Sequence, residues 1–207
     1  MVEGRDDKWS VINLMKAHMG WPEDGAPVWV EDANGRQNIL KRESLEAVLI
    51  APYTRTLGVM LDAEDNPPGK TYAQVRNLCS HWFPQLPDEL PPSGLIADNQ
   101  DGKRLGIWIM PDNVSPGTLE TFLQFLVPAS DEPIWTHATE SVKRARAIGA
   151  KCREAHIEKA NLHTWLAWQD EPGYPPGTAL TSHILDPHGE SATPFVNWFR
   201  ELYELKP

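Results

Sequence analysis

The stretch GVMLDAEDNP, residues 58–67, sets small and apolar residues directly ahead of the carboxylates of Asp62, Glu64 and Asp65. A short continuous apolar run bounded by turn residues fits a strand buried on both faces, as in a parallel sheet covered by helices. Ligands of open α/β sheets gather outside the carboxyl ends of the strands. Asp62 stands where this strand emerges, and Glu64 follows two residues later. Ionised carboxylates crowded together raise one another's pKa unless a cation balances them, and hard divalent ions with oxygen ligands meet that need. Taken alone, the segment reads more plainly as a solvated loop capping the following helix.

Outward from this strand, helix and strand patterns alternate. Val11, Ile12, Leu14 and Met15 set a helical period that begins at Asp6 or Asp7 and stops near Gly20 and Pro22. PVWVEDANG (27–35) reads as a strand with an Asn34-Gly35 turn, LKRESLEAVLIAP (40–52) as a helix, TLGVMLDA (56–63) as the buried strand and PPGKTYAQVRNLCSHWF (67–83) as a helix. GLIAD (94–98) and RLGIWIMPD (104–112) are predicted strands, and SPGTLETFLQFLVP (115–128) a helix capped by Ser115 with Pro116 in its first turn. From Asp131 on, only helices are expected, over 133–156, 159–169, 177–185 and 194–205. The prediction is an α/β core over residues 1–130, a mostly parallel sheet flanked by helices, with a helical region over 131–207 packed upon it.

Composition narrows the classes of function. No apolar run approaches the roughly 20 residues of a membrane span, and MVEGRDDKW at the amino terminus lacks the apolar core of a secretion signal. Cys79 and Cys152 lie far apart without metal-type spacing, which favours buried thiols and a reducing, cytoplasmic compartment. A formal net charge of −10 repels a nucleic-acid backbone at long range, so any phosphate partner must be met by local cations or bound metal. There is no phosphate-binding loop of the G-x-x-x-x-G-K-[ST] type and no zinc signature among the histidines, which argues against ATP hydrolysis and zinc chemistry.

Two further segments carry acid to βα junctions. In VEGRDDK, Glu3 and Asp7 are four residues apart and would share a helix face. In SPGTLETFL, Thr118 offers a hydroxyl and Glu120 a carboxylate in a first helical turn. VEGRDDKWSVINLM, GVMLDAEDNP and IMPDNVSPGTLETFL together resemble the Toprim fold shared by topoisomerases, bacterial primases and OLD-family nucleases. With KANLHTWLAWQDEPG added, the chain resembles, over nearly its whole length, a bacterial family of uncharacterised Toprim-like proteins.

The resemblance implies a catalytic glutamate at Glu3 and a DxD-type pair at Asp62 and Glu64, with glutamate in the second place. By likeness to the OLD-type nucleases it adds Asp7, Thr118 and Glu120 to a set of metal ligands for Mg²⁺ or Mn²⁺. Glu3 and Asp62 are then the candidate catalytic residues. Only Met1 and Val2 precede Glu3, where the resemblance implies an apolar strand, so either the chain starts late or the first strand is severely shortened. A chain of 207 residues is too small for the gates of strand passage, and no tyrosine has an activating neighbourhood.

For nucleic acid, Lys143, Arg146 and Arg153 are spaced to share a helix face, with Lys159 and Lys8 as candidates near the acids. Glu154 and Glu158 interrupt that positive surface, so a solvated helix exterior is the plainer reading. Trp165 and Trp168 are candidates to stack on bases and His163 to touch phosphate, although a three-residue spacing is the usual mark of core packing. The expected function is a metal-dependent phosphodiester hydrolase, a nuclease on DNA or RNA. The alternative is a non-catalytic nucleic-acid-binding or regulatory module working through a partner protein. Exposed tryptophans in the carboxyl-terminal helices would suit a homodimer or partner surface.

Overall fold

The structure, a computed structural model, describes residues 1–22 and 25–206. It is a mixed α/β fold around a small open sheet. Strands β1 (Thr56–Asp62), β2 (Leu95–Asp98) and β3 (Arg104–Met110) lie in the order β1-β3-β2. β1 runs parallel to β3 with Asp62 opposite Met110, whereas β2 pairs antiparallel to β3. The sheet is therefore mixed, not mostly parallel. GLIAD and RLGIWIM are joined by the tight 99–103 connection, and a link that short can only return the chain antiparallel.

Before β1 come α1 (Arg5–Met19), α2 (Arg36–Ile39) and α3 (Arg42–Ile50); α4 (Pro68–Cys79) follows it, and α5 (Leu119–Gln124) follows β3. The expected strand at 27–35 does not form. Among its residues only Asp32 makes a bridge, parallel to Val2, with Val2 N–H donating to Glu31 and Ala33 N–H to Val2. Residues 1–3 form no strand of their own: Val2 makes only the bridge to Asp32, Met60 N–H donates to the Met1 carbonyl at 3.0 Å, and the chain turns away at Gly4.

Residues 131–206 form α6 (Glu132–Ala147), α7 (Ile157–Leu166), α8 (Pro176–Thr181) and α9 (Thr193–Leu202), joined by short 3₁₀ turns and loops. The expected 133–156 helix stops at Ala147, where Ile148 and Gly149, with φ +104° at the glycine, end the helical path. Likewise α5 starts after Thr118 and not at Ser115. The Asp112 carboxylate accepts the N–H groups of Val114 and Ser115, holding that segment in a turn until Thr118. Among the described residues no helix is long and apolar enough to cross a membrane.

Side chains alternate across the sheet and sort the core into two. Leu57, Val59 and Leu61 of β1, with Leu105, Ile107 and Ile109 of β3, pack with Leu45, Leu49, Tyr72 and Val75 of α3 and α4. Met60, Trp108 and Met110 face the other way, into a core shared with α1, α5 and the carboxyl-terminal helices. By the same period-two rule Asp62 belongs to this second face. α9 reaches the sheet over a glycine seat: Gly58 and Gly106 are register partners, and a Cβ on Gly106 would lie 2.4 Å from Leu202 Cδ2.

Gly106→Ala is therefore expected to destabilise the fold by about 1–3 kcal/mol through overpacking. Gly69→Ala, in open space within α4, should be neutral or slightly stabilising. Urea unfolding midpoints of the two variants check this.

Candidate functional site

At its last residue β1 has no main-chain neighbour on its free edge, and side chains take the place of a strand there. Asp62 N–H donates to Glu3 Oε1 at 2.9 Å, and the Asp62 carbonyl accepts Arg36 Nη1 at 2.6 Å. The Asp62 carboxylate turns to the other side of the junction, where its Oδ1 accepts Leu119 N–H, at the start of α5, at 2.9 Å. Residue 62 thus ties together the amino-terminal segment, α2 and α5.

Helix α1 does not carry Glu3 and Asp7 on a common face. It begins at Arg5, Gly4 is an extended cap, and Asp7 folds back so that its carboxylate accepts Gly4 N–H at 3.1 Å. Glu3 stays outside the helix, beside β1. The two acids meet all the same, because the turn at Gly4 brings the first helical turn over the strand end.

Glu3, Asp7, Asp62 and Glu120 line one cleft of about 430 Å³, with Asp32 and Lys159 at its margin. A second cleft of about 600 Å³ adjoins it, sharing Asp62, Glu120 and Lys159 and adding Glu64, Thr118 and Glu158. The six predicted ligands are therefore assembled at one end of the sheet but divided between two adjoining recesses. Glu64 is solvent-exposed and sits at φ +57°, held by reciprocal 2.8 Å main-chain hydrogen bonds with Gly117. That clamp joins the loop after β1 to the loop after β3 and brings Thr118 beside Asp62. The Thr118 hydroxyl lies 2.9 Å from Glu120 Oε2 and 3.2 Å from Glu158 Oε2, and Thr121 Oγ1 donates to the same Glu158 oxygen at 2.6 Å.

The electrostatics follow from crowding. Burial, then the charges of Asp7, Glu3 and Glu120, push the Asp62 carboxyl well above the usual carboxylate range. Asp7 is pushed up to about 7 by burial and by Glu3, and Glu3 is raised chiefly by burial, against the pull of its hydrogen bond from Asp62 N–H and of Arg36. Among the described residues, Arg36 and Lys159 are ion-paired with these acids. Arg36 Nη1 is 3.6 Å from Glu3 Oε1. Lys159 Nζ bridges Asp6 Oδ2 at 3.1 Å and Glu120 Oε1 at 3.3 Å. Partial burial pulls the Lys159 ammonium down, but the hydrogen bonds and charges of Asp6 and Glu120 outweigh it and leave it raised.

The proposed basic surface is not assembled. Lys143 and Arg146 lie on α6, but Arg153 lies beyond the end of that helix and contacts His156, while Arg146 is paired with Glu154. Lys159, on α7, is the member of that group that reaches the acids. Trp165 is fully buried against Trp135 and has no face for a base; Trp168 is half-exposed and stacked on His137. His163 is exposed on α7. Lys8 sits 5.1 Å above the ring of Trp29, outside the acidic group. Cys79 is buried with its thiol pushed up to about 12, whereas Cys152 is only partly covered.

Arg36, Asp32 and Glu158 were not singled out by sequence. The Asn34-Gly35 turn ahead of Arg36 was a local signal that the chain reverses there. Nothing in the local sequence indicated that Glu158 would meet Thr118 across 40 residues.

A family described as "Protein of unknown function (DUF3226)" matches residues 1–204. The chain belongs to that family. Neither the curated proteins nor the solved structures contain a match to it. The matched span includes every residue of both recesses, so the acidic end of the sheet and the helices that close it fall within one family unit.

The raised acids make stability depend on pH with a definite sign. Between about pH 4, where an unfolded aspartate titrates, and about 7, where Asp7 titrates in the fold, the native state holds a proton that the unfolded state has shed. The Asp7 contribution to stability therefore falls as pH rises through that window and levels off above it. In metal-free buffer the melting temperature should drop between pH 5 and pH 8. Asp7→Asn, which keeps the Gly4 cap without the charge, should flatten the drop and be more stable than wild type at pH 8, by on the order of 2 kcal/mol. Parallel melting curves for the two proteins would contradict this electrostatic account.

Proposed function

We propose that the chain is a Toprim-like, metal-dependent phosphodiester hydrolase acting on DNA or RNA. The observation that carries the reading is the convergence of Glu3, Asp7, Asp62 and Glu120, from separate stretches of the chain, on one cleft at the carboxyl end of β1. Burial and mutual repulsion hold several of these acids above their ordinary pKa. Such crowding is costly unless the cleft receives positive charge.

The donors fit Mg²⁺ or Mn²⁺ by chemical class, since carboxylates and one hydroxyl form an all-oxygen set without sulfur or imidazole. Among the described residues no three acidic, imidazole or thiol groups are already disposed to grip one ion, and the Lys159 ammonium lies against Glu120. Asp7, Asp62 and Glu120 would hold such an ion once the Lys159 ammonium gives up its contact with Glu120. Glu64 and Thr118, which line the adjoining recess, would be the donors for a second ion. When bound, such an ion supplies a water of lowered pKa and charge stabilisation at the phosphate. Glu3, fixed beside Asp62 and outside the helix, is the residue placed to take or give a proton at the reacting phosphate oxygen. Lys159, once released, offers its ammonium to a phosphate oxygen at the mouth of the cleft.

A second reading, a nucleic-acid-binding or regulatory module without catalysis, draws on the same pair of cations. Lys159 and Arg36 already neutralise part of the acidic charge without any metal.

The deciding experiment incubates the purified chain with labelled single- and double-stranded DNA and RNA in Mg²⁺ or Mn²⁺. Cleavage should be metal-dependent and should fall by about a hundredfold or more in Asp62→Asn and in Glu120→Gln, with folding confirmed by circular dichroism. Cleavage untouched by both substitutions would overturn the assignment. Metal-dependent binding without cleavage would establish the module instead.

A further inference from the structure

Arg36 lies in no recognised motif, yet it makes more contacts at the end of β1 than any other cation there. Its Nη1 donates to the Asp62 carbonyl at 2.6 Å and lies 3.6 Å from Glu3 Oε1. Its Nη2 donates to Thr71 Oγ1 at 2.8 Å and to Gln74 Oε1 at 3.2 Å, both on α4. The planar fork is therefore anchored on one side by a helix and presents its charge on the other to a carboxylate. We propose that Arg36 is a positioning residue: by binding the Asp62 carbonyl while facing the Glu3 carboxylate, it sets where Glu3 and Asp62 stand relative to each other. Its consequence for metal binding and catalysis rests on the hydrolase reading above; its positioning role does not.

The geometry is specific to this arginine. Asp62 N–H and C=O both lie on the unpaired edge of β1, and Glu3 satisfies the first while Arg36 satisfies the second. Were the guanidinium removed, the Asp62 carbonyl would keep only the long 3.4 Å contact with the Thr71 hydroxyl. Glu3 would then face Asp7 and Asp62 without its counter-charge. The Glu3 carboxylate would gain by turning out toward solvent, and its hydrogen bond from Asp62 N–H would go with it. Lys159 cannot substitute. Its side chain is 46 % exposed against 21 % for Arg36, and no contact anchors it to the main chain of the strand. The two cations thus divide the work: Lys159 is free to leave when a ligand enters, and Arg36 stays.

The test has one arm without metal. Amide hydrogen exchange is measured for Asp62 and for Ile107 of the central strand, in wild type, Arg36→Met and Arg36→Lys. Arg36→Met should accelerate exchange at Asp62 roughly tenfold, with Ile107 changed far less, and Arg36→Lys, which keeps the charge but not the fork, should recover only part of the protection. If Asp62 exchange is unchanged, or if Asp62 and Ile107 accelerate by the same factor, Arg36 merely supports the fold and the proposal falls. Should Arg36→Met not fold, Arg36→Lys decides by the same comparison. In the second arm Mn²⁺ is titrated calorimetrically into wild type and Arg36→Lys, with an expected loss of affinity of about tenfold. Equal Mn²⁺ affinities would refute the consequence for the metal. A wild type that takes up no Mn²⁺ would sink the hydrolase reading, while the exchange arm still decides the role of Arg36.

Discussion

The organisation of this protein depends on how the last residue of β1 is held. Asp62 offers a main-chain N–H, a main-chain carbonyl and a carboxylate, and each is taken by a different part of the chain: Glu3, Arg36 and Leu119 N–H. A backbone group left unpaired at a buried strand end costs free energy comparable to a lost hydrogen bond. Meeting that demand with side chains instead of another strand brings Glu3 and Arg36 to the mouth of the sheet. The structural need and the chemical constellation are two aspects of one arrangement.

Charge is the second constraint. The acids gathered there resist ionisation, and the fold tolerates them because two cations of different character stand beside them. Arg36 is tied to main chain and to α4; Lys159 comes from α7 on a flexible stem. A formal net charge of −10 adds to the negative potential of these acids, which favours small dications over a bare polyanion. A phosphodiester approaching the cleft would be met by Lys159, by Arg5 on the lining of the same cleft, or by bound ions, since the basic candidates on α6 and after it are placed or paired elsewhere.

The helices after residue 131 complete the constellation. α9 rests on the glycines of β1 and β3, α7 packs against α5, and α8 packs along α1. Through α7 they deliver Lys159 and Glu158 to the two recesses, so the division into a core and an appended helical region describes the order of elements more than the origin of the site. Dynamics follow from the same placement. Lys159, half-exposed on a long stem, is paired with the side chains of Asp6 and Glu120, whereas Glu3 and Arg36 are fastened to the main chain of β1.

Local pattern was enough to find most elements. The apolar runs ending at Asp62 and in RLGIWIM and the helical period of Val11 to Met15 each reflect a short-range pattern set by burial, and each element formed where expected. Elements failed where tertiary contacts overrode propensity. PVWV had strand-forming residues, yet among the described residues the only bridge in its segment is Asp32 to Val2, and Ser115 was claimed by an Asp112 turn before it could cap a helix. The sequence by itself marked Glu3, Asp7, Asp62, Glu64, Thr118 and Glu120 as acids or hydroxyls at element ends. Tertiary structure alone decided that Glu64 and Thr118 face the adjoining recess, that Trp165 is core, and that Arg36 and Glu158 take part. Periodicity reports which face of an element is buried, whereas the meeting of side chains far apart in sequence depends on how loops close and helices dock, and no local spacing encodes that.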